Sequence, residues 1–425
     1  MDDNGRRRHS RHAAAAAHCS TGPVAFLNPT THYHRVAAPA PSAQPQGGGD
    51  AGPGPPQVYH VWRSRDNRKG RHSAVVPQGS KPLTASNFPR ATNTLAETLH
   101  GVLKMATRFP VWDVSYDVAV VFTLGSVVWC INGFMVWLPL VAPWTEFPDE
   151  VSLGGGVTAF IGATIFEFGS VLMMLEAVNE NREDCFGWAL EEALEDHGPR
   201  LRTTYEKECR HHHQNKRSLL RSSAVTTATA VAAVGNVVKG KDSPSSNKPT
   251  GQRRWSWWPT WHELTTHYLR EVGFLACLAQ MVGATVFWIA GFTGLPPVFD
   301  ALDVPVANGV YWLPQVVGGS GFIVSSALLM LEVQDKWYKP APKILGWHIG
   351  LWNLVGAVGF TLCGALGFAV ESGPPAVEYA STLATFVGSW AFLIGSVVQW
   401  FESLDKYTIS VGRVPVSLLA GDEKA

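Results

Sequence analysis

Six long, continuously apolar stretches decide what this chain can fold into. They occupy residues 118–141, 153–175, 272–295, 309–332, 347–370 and 379–401. About 20 residues at roughly 1.5 Å of rise cross a hydrocarbon core of about 30 Å. A buried helix in a soluble core could account for one such stretch, but not for six. The runs do not alternate apolar and polar residues, as barrel strands would, so they read as helices. The expected fold is an all-α membrane protein with six transmembrane helices, and the bilayer is its first partner.

Charge agrees with this and orients the chain. Charged residues make up 16% of the sequence, against about 25% in soluble globular chains. Lys and Arg balance Asp and Glu at 34 each, so no net basic field points to nucleic acid. The connections between runs one and two, three and four, and five and six contain no Lys or Arg. They do carry Glu146, Asp149, Glu150, Asp300, Asp303, Glu371 and Glu378. Of the basic residues, 14 precede run one, 14 separate runs two and three, three separate runs four and five, and three follow run six. The positive-inside rule then puts both termini in the cytosol and the acidic hairpin loops on the far side.

The runs share an internal pattern. Gly125-Ser126-x-x-Trp129 recurs as Gly162-Ala163-x-x-Phe166, Gly283-Ala284-x-x-Phe287, Gly318-Gly319-x-x-Phe322, Gly356-Ala357-x-x-Phe360 and Gly388-Ser389-x-x-Phe392. A small pair follows nearly two helical turns later: Gly169-Ser170, Ala290-Gly291, Ser325-Ser326, Cys363-Gly364 and Gly395-Ser396, with Asn132-Gly133 in the first run. Even-numbered runs add a carboxylate another two turns on: Glu176, Glu332 and Glu402. The unit is therefore a two-helix hairpin, present three times in tandem. Small residues on one face let helix backbones approach in lipid. That assigns Gly125, Gly162, Gly169, Gly283, Gly291, Gly318, Gly356, Gly364, Gly388 and Gly395 to helix packing. The three carboxylates sit at the inner boundary, where headgroups and water solvate an anchor and where Lys336 and Lys406 stand four residues on. An ion or ligand site at the inner mouth is the competing reading.

Passages of the second and third hairpins resemble a fungal family of integral membrane proteins of unknown function. They are Gly273 to Pro296, Gly309 to Glu332, and Lys343 to Lys406. The resemblance covers about residues 255–407, and 115–185 more loosely. The hairpins are also similar to the YrhK-like two-helix domain. Neither resemblance implies an activity, a substrate or a catalytic residue.

Outside the spans the chain reads as largely unstructured. Residues 1–90 are rich in Ala, Pro, Gly, His and Arg, too polar to offset ordering entropy, and are expected to be a disordered tail. Ala13 to Ala17 is too short for a signal-peptide core. Residues 91–117 are a partly helical lead into the membrane, and 402–425 form a tail. The long connection 176–271 holds an acidic stretch from Phe186 to Asp196, a polar disordered middle, and the short apolar stretch Ala224 to Val238. It ends in Trp255, Trp257, Trp258 and Trp261, which read as interfacial anchors. Thr260 and Glu263 fit a capping box, from which a helix would run directly into the third span.

Candidate chemistry is sparse. The six cysteines form no C-x-x-C pair, which leaves no zinc or redox motif. His211-His212-His213 has no ligand geometry around it, so no metal and no cofactor is implied. Nucleotide-loop, H-E-x-x-H and G-x-S-x-G motifs are absent, and the chain reads as non-enzymatic. Glu167 is the exception. It lies in the middle of the second span, where Ile323 and Leu393 occupy the equivalent positions. A carboxyl at mid-bilayer is costly and is either a proton or cation site or a neutral hydrogen-bonded group. Asn132, Gln280 and Asn353 are its candidate partners.

The topology is directly testable. Reporters fused to both termini should read cytosolic, and single cysteines at Thr145, Asp300 and Ser372 should all label from the opposite side with an impermeant reagent. Labelling of Thr145 and Asp300 from different sides would be incompatible with six spans.

Overall fold

The computed structural model describes residues 19–35, 59–77, 94–180, 186, 204–205 and 254–412. Among these residues, six helices are long and apolar enough to cross a membrane. They are α3 (Val114–Val141), α4 (Gly156–Val178), α6 (Val272–Thr293), α9 (Leu313–Glu332), α10 (Leu345–Gly367) and α11 (Pro375–Leu404). Wide helical turns at Glu150–Gly155 and Asn308–Trp312 lengthen α4 and α9 at their starts. Shorter helices are α1 (Ser64–Arg68), α2 (Leu95–Thr107), α5 (Trp261–Thr266), α7 (Pro296–Phe299) and α8 (Val304–Ala307).

The spans pack as three tandem hairpins, α3–α4, α6–α9 and α10–α11. Further contacts α4–α6, α9–α10 and α11–α3 close them into a ring in chain order. The glycine pattern explains how. Within the first hairpin, a Cβ at Gly125 would meet the Phe166 ring at 2.6 Å, and one at Gly162 the Trp129 ring at 2.8 Å. The third hairpin repeats this reciprocal seating, Gly356 on Phe392 and Gly388 on Phe360. In the second, Gly283 and Gly318 face each other's carbonyl oxygens, with Cβ approaches of 2.8 and 2.7 Å. The second small residue of the odd helices works between hairpins: Gly291 meets Ala163, Gly364 meets Gln315, and Gly133 meets Phe386. One element therefore seals hairpins and another joins them, as expected where close van der Waals approach drives association in lipid.

All six pattern aromatics converge inside the ring in one buried cluster. Trp129, Phe287 and Phe360, one from each hairpin, form a closed triangle with centroid separations of 5.7, 4.8 and 5.6 Å. Phe166 and Phe322 pack on Phe392 at 5.5 and 6.3 Å. All but the tilted Phe287–Phe360 pair are edge-to-face, an arrangement that contributes about 0.5–1.5 kcal/mol per pair beyond area burial.

Residues 19–35 and 59–77 are where the structure corrects the sequence reading; the rest of the expected tail 1–90 lies outside the described residues. Residues expected to be disordered form β1 (Cys19–Thr21), β2 (Thr31–Arg35), β3 (Tyr59–Arg63) and β4 (His72–Pro77). The strands β1 to β4 run antiparallel in order, and β7 (Tyr407–Gly412), from the expected C-terminal tail, adds parallel to β4. A two-residue pair, β5 (Thr204–Tyr205) with β6 (Arg254–Trp255), stands apart. Composition misled because the tail does not order alone: its sheet borrows a C-terminal strand and a seat on the spans. The acidic stretch beyond Phe186, Ala224 to Val238 and the His211–His213 run lie outside the described residues.

A second correction concerns the entry to the third span. The capping box is present, with Thr260 Oγ1 accepting from the Glu263 amide and Glu263 Oε2 from the Thr260 amide at 3.0 Å. Yet α5 stops at Thr266 and does not run into α6. Asn28 holds the break, its amide donating to the Arg270 carbonyl at 2.9 Å and its side chain to Glu271 at 2.6 Å. Glu271 is thereby kept extended as the residue before α6.

Gly283→Leu should lower the melting temperature in detergent or nanodiscs, because the nearest atoms are backbone that cannot yield. Overpacking costs about 1–3 kcal/mol, occasionally more. The neighbouring exposed Val282→Leu should leave it unchanged. Equal stability of both variants would refute close glycine packing.

Candidate functional site: a buried ionic cap at the mouth of the ring

Strands β3 and β4 are joined by the sequence Ser64-Arg-Asp-Asn-Arg-Lys-Gly-Arg71. It makes one short helix, α1, and turns back at Gly70, whose φ of 58° suits the left-handed end of a helix. Arg71 then closes the turn, its amide donating to the Asp66 carbonyl at 2.7 Å. This tip enters the end of the ring where the even-numbered spans finish.

There the three pattern carboxylates meet it. Glu176, Glu332 and Glu402 are 0, 1 and 1% exposed. Arg68 bridges two hairpins, donating to Glu176 at 2.9 Å and to Glu332 at 2.8 Å. Arg65 grips Glu402 with two bonds, Nε at 3.2 Å and a terminal nitrogen at 2.7 Å. Lys69 adds Glu176 at 3.1 Å, and Arg71 adds Glu402 and Asp66, both at 3.1 Å. Ser64 Oγ donates to Glu332, and Ser73 Oγ to Asp66. With Arg63, which pairs with Asp66 at 3.3 Å, the cations Arg65, Arg68, Lys69 and Arg71 thus more than offset Glu176, Glu332, Glu402 and Asp66.

The spans are shaped for this cap. A Cβ at Gly273 of α6 would strike the Glu332 carboxylate, and one at Gly346 of α10 would strike Arg65. Both glycines stand ten residues before the first glycine of their span pattern; Ser115 holds that place in α3. Lys406 ties the rim, donating to the Lys69 carbonyl at 2.8 Å and pairing with Asp113 at 2.7 Å. Asp113 in turn caps α3 by accepting from the Ser115 amide.

Burial sets the electrostatics. Loss of water around the Lys69 ammonium pulls its pKa below the usual value, and the Glu176 charge only partly restores it. For Arg68 burial acts the same way, but Glu332 and Glu176 outweigh it and hold the guanidinium charged. At the edge, burial and the neighbouring Glu271 charge push Glu180 up to about 7, although Asn67 donates to it at 2.7 Å.

This geometry corrects the reading of the three carboxylates as solvated anchors paired with Lys336 and Lys406. Helices α9 and α11 end at Glu332 and Leu404, before either lysine. Lys336 instead lies over the Tyr338 ring. The partners come from a segment more than 100 residues away in sequence, which no local spacing rule reaches.

The other candidates are scattered. Glu167 is half-buried between α4 and α6, accepts from Thr285 Oγ1 at 2.9 Å, and leaves its second oxygen unpaired. Asn132, Gln280 and Asn353 are not its partners. Asn132 donates to the Gly155 carbonyl at 2.7 Å and to Thr158 at 3.0 Å, linking α3 to α4. Gln280 and Asn353 line a cavity of about 30 Å³ together with Ser126, Ser326, Ser396 and Gln399. Its walls come from the turns between the aromatic layer and the carboxylates. Such a volume holds one or two waters. Among the described residues, no three His, Cys, Asp or Glu side chains are placed to share a metal ion.

No family model, curated protein or solved structure matches this chain.

Removing one member of a buried ion pair costs about 3–5 kcal/mol. Glu332→Gln and Arg68→Met should each destabilise the protein on that scale. The double variant should lose clearly less than the sum, by 1 kcal/mol or more, as expected for groups in direct contact. Strict additivity would show that the two do not interact.

Proposed function

We propose that this multi-pass membrane protein is a non-enzymatic bundle that organises the membrane or binds partners there. Both termini would lie on the cytosolic side, following the distribution of basic residues. The observation that carries this reading is the filled axis: the Trp129–Phe287–Phe360 triangle occupies the centre of the ring. The ionic cap occupies one end of it. A ring sealed by rings and charges is suited to holding a fixed shape in the bilayer. Membership of the fungal membrane family belongs to the same proposal and rests on the sequence passages quoted above.

A second reading, transport of a proton-coupled or cationic small solute, is favoured by the unpaired oxygen of Glu167 and by the small cavity that Ser126, Gln280, Ser326, Asn353, Ser396 and Gln399 share with apolar side chains. Intramembrane carboxyls commonly mark proton or ion paths. The readings separate in liposomes loaded with a pH or cation gradient. The organising role predicts no flux, unchanged stability in Glu167→Gln, and modestly lowered stability in Glu167→Leu, which removes the α4–α6 hydrogen bond while Thr285 keeps its bond to the Met281 carbonyl. Flux that Glu167→Gln abolishes in a folded protein would replace the first reading with the second.

A further inference from the structure

Helix α2 leaves most of its side chains unpacked. Leu95, Leu99, Val102 and Leu103 are 77, 62, 53 and 58% exposed. At about 100° per residue these four fall with Ala106 on one arc of roughly 100°. Glu97, His100 and Lys104 fall on the opposite side. A third side seats on the bundle: Gly101 lies against the Phe401 ring of α11, close enough that a Cβ would collide with it. Phe401 immediately precedes Glu402, so α2 is fixed at the rim of the mouth, level with the ends of the spans. The six residues between α2 and α3 continue the apolar surface with Phe109 and Val111, 58 and 63% exposed.

We propose that α2, with Phe109 and Val111, lies in the plane of the membrane, its apolar arc in the boundary between headgroups and acyl chains on the side that carries the sheet. Continuity selects the bilayer as the occupant. The arc leads directly into α3, whose exposed Leu124, Val127 and Ile131 form the lipid-facing wall of the first span. A helix with a strong apolar face and a polar back, tied to a spanning helix, takes this position. The charges of the segment, Glu97 against Lys104 and Arg108, sum to one positive. Attraction therefore comes from apolar burial and does not require anionic lipid. This inference depends on the chain spanning a membrane, not on the role proposed for it.

The test uses the full chain in nanodiscs of phosphatidylcholine alone, with a photoreactive phenylalanine analogue at Leu99, Leu103 or Glu97. Leu124 serves as the lipid-facing control. Leu99 and Leu103 should give lipid adducts near the Leu124 yield and at least fivefold above Glu97, unchanged between 0.1 and 0.5 M salt. Adducts at Leu124 but only background at Leu99 and Leu103 would overturn the anchor while leaving the spans in place. So would crosslinks from Leu99 or Leu103 to a second copy of the chain. Yields that appear only when anionic lipid is added would also contradict it.

Discussion

Three carboxylates buried at the ends of membrane helices must find positive partners, and the rest of the structure is arranged around that requirement. A carboxylate taken out of water loses several kcal/mol of solvation, and only close, well-satisfied countercharges repay it. Glu176, Glu332 and Glu402 stand at equivalent places in three hairpins, so closing the ring brings three like charges to one mouth. Arg68, reaching Glu176 and Glu332 together, and Arg65, gripping Glu402, turn that repulsion into a link among all three hairpins. The N-terminal sheet is the holder that presents these residues. The parallel pairing of β7 with β4 fixes it to the strand that leaves the last span.

The two ends of the pattern divide the labour. Glycines and aromatics set the spacing of the helices and fill the axis, with no directional charge. The ionic layer adds direction, because a guanidinium fork accepts only particular carboxylate positions. Gly273 and Gly346 show the layers to be coupled, since the spans give up side chains where Arg68 and Arg65 must pass. Between the layers, a small cavity of mixed lining marks where neither rings nor charges fill the volume.

Much of the fold is legible in the sequence, because a bilayer admits few solutions. Run length gives the spans, and the recurrence of Gly-x-x-x-aromatic gives the hairpins and the inner face. The same sequence hides the cap. Arg65, Arg68, Lys69 and Arg71 lie in a stretch whose surroundings look disordered, and a cluster of basic residues usually means a solvated face. A signal lies in the pairing of two facts: five clustered cations flanked by Val61 and by Ala74-Val75, and three acidic residues repeated at one place in apolar helices. Each is ambiguous alone. Glu167 stands out by its depth, but its partner Thr285 does not, since threonines in spans commonly bond to their own helix and carry no sign of a cross-helix role.

The central claim is that residues 64–73 are locked into the mouth of the ring by buried ion pairs. Hydrogen exchange of the full-length protein in nanodiscs measures this directly, through backbone amides such as those of Lys69, Gly70 and Arg71, which bond to Arg65, Asn67 and Asp66 carbonyls. A docked cap predicts protection lasting hours, close to that of the adjoining ends of α4 and α9, and its loss in Glu332→Gln. Exchange of these amides within seconds in the unaltered protein, while the spans stay protected, would contradict the account.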